Sequence, residues 1–477
     1  MGPGATSPTR PSPPPPPSRS PPRRRPPDAV DRISRLPDAV LREIVSRLPA
    51  KDAARTAALA SRWRPLWRSA PLTLADSHLL PDGGAGGQLV IGAASPRAVT
   101  AAVSRILAAH PGPFRCVHLT RSTMEEHRGE MARWLDILAA KGVQELVFVN
   151  RPLPIDLRLP ATIFSCASLT RLHLGIWRLP DNTAVPRAAR FPNLRELGLY
   201  WNSMEDRDLD FMLERSPLGF SFAEDIDVVD APSLERLFQF AELTDSPKMN
   251  NGRPTRKRSS MIKIGSAPKL RVLGYLKPGE QELAGSKENI VPSVQILGIE
   301  VQFGLRNAVK KVPGFLRCFP NLETLHVHSH PISEESTGKV NVKFWQEGGP
   351  IKCILQSMKK VFFYEFRGSR SEVAFLKFVA EKARALEEMV VVVAIECFSL
   401  GDDNVSVKLK PLTSAKWNSK ACRLELFKSP VTGGSGHAYN HELASDFGFA
   451  DPFDLKYYKK AGRIPTVYYM MRMCVPN

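Results

Sequence analysis

A chain of 477 residues with 43% apolar side chains has room for two or three domains, or for one small domain and a long repeat array, and must bury a sizeable core. Its formal charge of +18 favours acidic partners or nuclear residence. The longest apolar run, Met389 to Ile395, lies between Glu388 and Glu396 and is strand-sized, so no membrane is expected as a partner. Seven cysteines, odd in number and never in a C-x-x-C pair, fit neither a disulfide framework nor a zinc module. They are expected to be small buried side chains in a reducing compartment.

Residues 1–27 hold 12 of the 42 prolines, five arginines and no acid, which predicts a disordered, basic, polyproline-like tail. The tail has no apolar core for a signal peptide and is too proline-rich for the amphipathic helix of a transit peptide. After Leu36-Pro37, Asp38 begins a segment whose apolar positions, Val40, Leu41, Ile44, Val45 and Leu48, trace one face of a helix. Pro49 should stop it, Asp52 suits the start of a second helix over 53–60, and Ser61 is placed to cap a third. Arg62-Trp63-Arg64-Pro65-Leu66-Trp67 supplies aromatics to lock the three together. So small a module cannot cover all this apolar surface alone. Its first helix therefore packs either on the chain's own repeats or on a partner.

Pro81 to Gly87 is a glycine-rich linker without a phosphate-loop lysine. Beyond it, apolar-x-x-apolar-x-apolar recurs, as at Val143-Leu146-Phe148, Leu169-Leu172-Leu174, Leu194-Leu197-Leu199, Leu270-Leu273-Tyr275, Val294-Leu297-Ile299 and Leu322-Leu325-Val327. Pro192-Asn193-Leu194, Pro232-Ser233-Leu234, Pro268-Lys269-Leu270 and Pro320-Asn321-Leu322 give several copies a shared opening, each followed by a charged residue. Spacings of 25, 24 and 28 residues (Leu169 to Leu194, Leu270 to Val294, Val294 to Leu322) fall in the leucine-rich-repeat range. The 40 residues from Leu194 to Leu234 imply an insertion or a missed repeat. An α/β domain of irregular strands is the alternative. In a repeat array the consensus residues point into a continuous core and the x residues line a concave, solvent-exposed face. Arg171, His173, Arg195, Glu196, Glu323, His326 and His328 are the x residues singled out for binding a protein target. Near the C-terminus, Met358 to Gly368, then an amphipathic stretch through Leu386, then Glu387 to Val391 read as strand, helix, strand.

The segments Asp31–Asp38, Leu48–Ala53 and Ser61–Trp67, with this C-terminal stretch, resemble plant F-box proteins that carry leucine-rich repeats and an FBD region. The resemblance covers roughly residues 28 to 400. Outside it lie the disordered tail (1–27), set apart by its composition, and an extension of unknown role (401–477). The resemblance implies an α/β chain with a three-helix F-box (28–70), a linker or transition (71–112), a horseshoe solenoid of degenerate leucine-rich repeats with parallel strands (113–345) and an FBD-like region (346–400). It further implies that Leu36, Pro37, Leu41, Ile44, Val45, Leu48 and Pro49 contact a Skp-type adaptor and, through it, a cullin. Trp63, Leu66 and Trp67 then belong to the module's own core. The chain itself would be the non-catalytic substrate-recognition subunit of an SCF-type ubiquitin ligase. A repeat scaffold without a ligase role, or a basic nuclear protein touching nucleic acid, is the rival reading.

Catalytic signatures are missing: no nucleophile–base pairing, G-x-S-x-G, H-E-x-x-H or kinase set occurs. His326, His328 and His330 alternate along one strand face, but no further Cys or His completes a metal site there, so neither metal nor cofactor is expected. Arg253-Pro254-Thr255-Arg256-Lys257-Arg258 reads as an exposed basic loop, either plain solvated charge or a nuclear-import signal, so location in nucleus and/or cytoplasm is expected. Nucleic acid is not an expected partner, since no nucleic-acid-binding fold signature accompanies the loop.

Overall fold

The computed structural model describes residues 33, 35–79, 97–120, 122, 124, 128–150, 157–175, 177, 191–200, 226–240, 249–250, 253–254, 260–279, 281–283, 290–330, 340–398, 402–429, 450–454 and 468–474. The tail 1–27, the glycine-rich stretch 81–87 and Arg256-Lys257-Arg258 of the basic loop lie outside them.

Three helices open the described chain: α1 (Asp38–Arg47), α2 (Ala50–Thr56) and α3 (Trp63–Ser69). Pro49 does end α1, and then serves as the N-terminal flank of α2, so α2 begins earlier than the residue expected to start it. Asp52 instead sits in the first turn of α2, where its charge suits the helix dipole, and pairs with Arg55 at 2.9 Å. Ser61 does not cap α3. Arg62 flanks that helix, and its guanidinium reaches Asp38 Oδ1 at 2.6 Å and the Leu36 carbonyl at 2.7 Å, tying α3 to the start of α1.

The strands, in chain order, are β1 (Leu72–Ala75), β2 (Phe114–Leu119), β3 (Glu145–Val149), β4 (Arg171–Gly175), β5 (Glu196–Tyr200), β6 (Ile226–Asp230), β7 (Arg236–Phe240), β8 (Met249–Asn250) and β9 (Arg253–Pro254). There follow β10 (Ser260–Ser266), β11 (Val272–Leu276), β12 (Gln281–Leu283), β13 (Ile296–Val301), β14 (Thr324–Ser329), β15 (Lys360–Phe366), β16 (Glu388–Val393), β17 (Arg423–Lys428) and β18 (Tyr468–Cys474). Among the described residues, thirteen strands make one sheet in the order β1-β2-β3-β4-β5-β7-β11-β13-β14-β15-β16-β17-β18. Every pairing in it is parallel except the last, β17 with β18. Consecutive parallel neighbours of this kind are the signature of a solenoid.

The repeat motif explains the stacking. Leu146, Leu172, Leu197, Leu237, Leu273, Leu297, Leu325, Val361, Met389 and Leu424 fall in successive strands and share one apolar core. Helices α4 (Arg97–Ala109), α5 (Arg128–Ala140), α6 (Arg306–Arg317), α7 (Val342–Glu347), α8 (Arg370–Lys382) and α9 (Asp402–Thr413) contribute to that same core, so they cover this face of the sheet. The recurring turn before each strand has a job of its own. Its polar residue donates to a carbonyl of the preceding turn: Ser168 to Val143 at 2.7 Å, Asn193 to Ala167 at 3.2 Å, Ser293 to Ala267 at 3.2 Å, Asn321 to Pro292 at 3.0 Å and Ser357 to Pro320 at 3.1 Å. A Leu-rich strand and a hydrogen-bonding turn together fix the repeat length, since both must fall in register with the repeat before.

Several expectations need correction. The insertion between Leu194 and Leu234 contains β6, which leaves the main sheet and joins a small parallel sheet, β12-β10-β6, so that β5 pairs directly with β7. Tyr275 was expected in the core, but the register shifts between Leu273 and Leu276. Leu276 takes the inward place and Tyr275 joins an aromatic cluster with Phe238 and Phe453. The region 71–112 is more than a linker, for it holds β1 and α4. The extension 401–477 is no appendage either: α9 packs on the core, and β17 and β18 continue the sheet. The strand–helix–strand over 360–393 is present as β15, α8 and β16, with α8 opened by a Ser369–Glu372 capping box.

Candidate interaction surfaces

Helix α1 divides its apolar residues between two sides. Leu41 and Val45 are buried in the chain's own core with Ala53, Trp63 and Leu66, and Leu36 and Leu48 are packed against it. Pro37, Val40 and Ile44, spaced i, i+3, i+7 on the other side, remain exposed, Val40 by 44% and Ile44 by 39%. Pro49 is half-buried and forms a parallel bridge with Thr73, whose hydroxyl donates to the Ser46 carbonyl at 3.1 Å. The module is thus fused to β1. Of the seven residues expected to contact an adaptor, Pro37 and Ile44 are presented outward, while Leu41 and Val45 are committed inward. Val40, exposed between them, belongs with the outward set and is absent from the expected contacts.

The face of the sheet opposite the helices carries the x residues in rows that run across the strands. One row places Cys116, Glu145, Arg171, Glu196 and Arg236 side by side in register. It is a ladder of alternating charge. Arg171 Nη1 lies 2.6 Å from Glu145 Oε2 and its Nε 3.0 Å from Glu196 Oε1, while Arg236 Nη1 is 3.5 Å from Glu196 Oε2. His173 adds a contact of 2.8 Å to Glu196. Arg171, His173 and Glu196 were expected to face solvent. They are buried instead, as is Arg236, and Glu196 completely, because long side chains pair sideways across neighbouring strands and cover one another.

At the start of the ladder, Cys116 Sγ stands 3.2 Å from His118 Nε2, which is 2.7 Å from Glu145 Oε1. Burial works against a charge on His118, but Cys116 and the Glu145 carboxylate outweigh it and push the pKa up to about 10. Burial would also raise Glu145, yet the His118 hydrogen bond and the Arg171 charge hold it down at about 2. The Cys116 thiol is pushed up by burial. These three side chains bring their ligand atoms within 4.8 Å of one another, as a metal site would. The Arg171 guanidinium on the same carboxylate already supplies the positive charge a cation would bring, so the cluster is closed as an ion-pair network. Cys166, Cys318, Cys353, Cys397 and Cys422 are likewise free and buried. Burial pushes the thiols of Cys166, Cys353 and Cys422 up to about 12, as expected for inert core thiols.

Towards the C-terminal half, the same face turns aromatic. His326 stacks on Phe362 with ring centroids 4.5 Å apart, and Tyr364 lies in a nearly parallel plane. His326 Nδ1 meets the Tyr364 hydroxyl at 2.9 Å and Nε2 meets Asp451 Oδ2 at 2.9 Å, so His326 is wholly buried. His328 is also buried on this face. Arg195 and Glu323 are elsewhere. Each sits one residue before its strand, on the rim where the turns stack, paired as Arg195–Glu235 (2.8 Å) and Glu323–Lys359 (3.0 Å), and Arg195 keeps 42% of its side chain exposed. Glu235 and Glu323 line a polar groove of about 730 Å³ with Arg271, Gln295 and Asn321. The structure therefore does not bring the seven expected target contacts together: five lie on the buried face and two on the rim. The aromatic patch and its covering segment at 451–454 were not anticipated.

Three family models match in chain order: the F-box domain at 33–74, the repeats described as "FBD-associated F-box protein At5g56370, LRR repeats" at 131–218 and 218–327, and FBD at 346–391. The chain is 31% identical over 170 residues to the F-box/LRR-repeat protein At3g26922 of Arabidopsis thaliana, covering 35% of this chain and 51% of that one. It is 24% identical over 394 residues to the F-box/FBD/LRR-repeat protein At1g13570 of the same plant, covering 76% of this chain and 91% of that one. A third similarity, 23% over 437 residues, is to the putative FBD-associated F-box protein At5g56440, again from Arabidopsis thaliana, with 80% and 96% covered. The chain thus spans about half of the first relative and nearly all of the other two. With an F-box module on β1, repeats stacked through the central strands and the FBD match over β15, α8 and the start of β16, the chain belongs to the plant F-box proteins with leucine-rich repeats and an FBD region.

Proposed function

We propose that the chain is a substrate receptor of an SCF-type ubiquitin ligase, its F-box docking a Skp-type adaptor and its repeats holding a protein target. F-box/LRR/FBD proteins generally act in this way and are typically non-catalytic adaptors. The observation that carries the reading is the outward apolar strip Pro37-Val40-Ile44, which α1 leaves exposed although Leu41 and Val45 have already satisfied the internal core. Full burial of such a side chain contributes about 1.5–3 kcal/mol, against an association cost of about 4–15 kcal/mol, so the strip needs further contacts around it. Ubiquitin transfer would fall to the partners, and a cullin would be reached through the adaptor. The basic stretch through Arg256-Lys257-Arg258 supports access to the nucleus as part of this proposal.

The experiment is an adaptor pull-down with Val40→Asp plus Ile44→Asp. Because both side chains are exposed, the unfolding free energy should change by no more than about 1 kcal/mol while adaptor binding is lost. Full adaptor capture by that variant would remove the receptor reading. Leu41→Asp is the control for a different failure, since it buries a charge and unfolds the module.

A further inference from the structure

Asp451, Pro452, Phe453 and Asp454 form a turn across the sheet from the helices, closed by the Phe453 N–H donating to Asp451 Oδ1 at 3.0 Å, and the strands they meet are far off in sequence. Asp451 meets His326 across 125 residues of chain, and Phe453 accepts a hydrogen bond at its carbonyl from the Tyr364 hydroxyl at 3.1 Å. The Phe453 ring sits edge-on to Phe238 (5.5 Å between centroids), to Tyr275 (4.9 Å) and to His326 (5.3 Å). The floor beneath it is glycine. A Cβ on Gly274 would stand 2.9 Å from Phe453 Cζ and 3.1 Å from the Gly298 backbone, and one on Gly298 would crowd the Tyr275 ring at 3.2 Å. In the row where Phe238 and His326 carry rings on the flanking strands, the two glycines thus leave a hollow that the Phe453 ring fills.

We propose that this hollow is the target subsite of the receptor, that it accepts a peptide bearing a carboxylate two residues before an aromatic side chain, and that residues 451–454 fill it in cis as a stand-in for the target. The inference rests on the receptor reading and gives that reading a partner chemistry. Each element of the peptide has a partner on the page. The aromatic ring takes the edge-to-face positions, which aromatic pairs favour over stacked sandwiches. The carboxylate takes His326, held in orientation by Tyr364 through its other ring nitrogen and by Phe362 beneath it. The Tyr364 hydroxyl reads the backbone, so the peptide is fixed at three points. A strongly basic chain, at +18, adds a general attraction for acidic peptides. The chain's own segment reduces the apparent affinity of a target by the fraction of molecules in which the hollow is filled.

The test uses the full chain in complex with its adaptor. A fluorescein-labelled peptide copying residues 448–457 is titrated into wild type and into Asp451→Ala plus Phe453→Ala, with polarisation as the readout. The emptied variant should bind at least about tenfold more tightly than wild type, following the linkage between filling and affinity. Peptides with the aromatic changed to alanine, or the upstream carboxylate changed to alanine, should lose binding, and Gly274→Leu added to the emptied variant should block it. A folded emptied variant that binds no peptide overturns the proposal. So does a collapse of the melting temperature in both the double variant and the milder Asp451→Asn, because the segment is then a structural strap. Adaptor capture is read on the same preparations. Retained capture without peptide binding removes only the subsite, whereas failure of wild type to capture the adaptor removes the receptor reading whatever the peptide does.

Discussion

Two rows of charge run side by side across this sheet, one residue apart in the chain. Arg195 and Glu235 pair at 2.8 Å on the rim, and their immediate successors Glu196 and Arg236 pair at 3.5 Å on the face. Residue types, pairing and register are alike. What differs is water: the rim pair is open to solvent, while Glu196 is completely buried and serves Arg171, His173 and Arg236 at once. Pairing geometry alone therefore says little about what an ion pair contributes. An exposed pair gives about 0–1 kcal/mol, because solvent screens it and two long side chains lose freedom. Removing one partner of a buried set leaves charge stranded without water, which costs about 3–5 kcal/mol.

The largest expected break of this comparison is Glu196→Ala, which should lower unfolding free energy by about 3–5 kcal/mol in a chemical denaturation series. A loss near that of a surface change would mean that the ladder is hydrated and the contrast false. The neighbouring core position gives a scale that involves no charge: Leu197→Ala should cost about 2–5 kcal/mol through the cavity it leaves. The pH dependence sharpens the contrast further. Glu145 sits near 2 when folded, so the stability it contributes is complete above its ordinary value of 4.5 and disappears as pH falls through about 2. His118 sits near 10 when folded, so its contribution is complete below its ordinary 6.5 and is lost as pH rises towards 10. Glu145→Gln should flatten both limbs in thermal melts taken from pH 2 to pH 10. The smallest effect belongs to the rim: Glu235→Ala should change stability by no more than about 1 kcal/mol.

The helix-facing half of the fold was legible because the consensus apolar residues recur at repeat spacing whatever residues lie between them. Val143, Leu169, Leu194, Leu270, Val294 and Leu322 are each buried where the motif puts them. The other face was legible only as positions. Whether an x residue meets water depends on its neighbours one strand away, 23 to 40 residues off in sequence for the Glu196 contacts with His173 and Arg236, and on a covering segment farther still. No local pattern carries that information. Tyr275 shows a second limit, since a one-place register shift moved an apparent core residue to the opposite face. β17 left a weak trace, Ala421-x-x-Leu424-x-Leu426, which the small first residue disguises. On α1, the periodicity located the apolar arc but did not divide it. That division was settled by where Trp63 and Leu66 pack.

The two ends of the sheet are finished differently, and this bears on how the molecule keeps its own company. A stack of parallel strands offers a matching template at each end, an invitation to endless head-to-tail growth or to capture of stray chains. At the first end the helical module lies on β1, with Pro49 bridging Thr73 and Ser46 taking the Thr73 hydroxyl. At the last, β18 runs backwards along β17, so the next strand outward would meet the wrong polarity for a parallel register. The helical module is thus one stopper, and the reversed strand is the other. Stripping either one away would leave a parallel edge open to pairing with other chains.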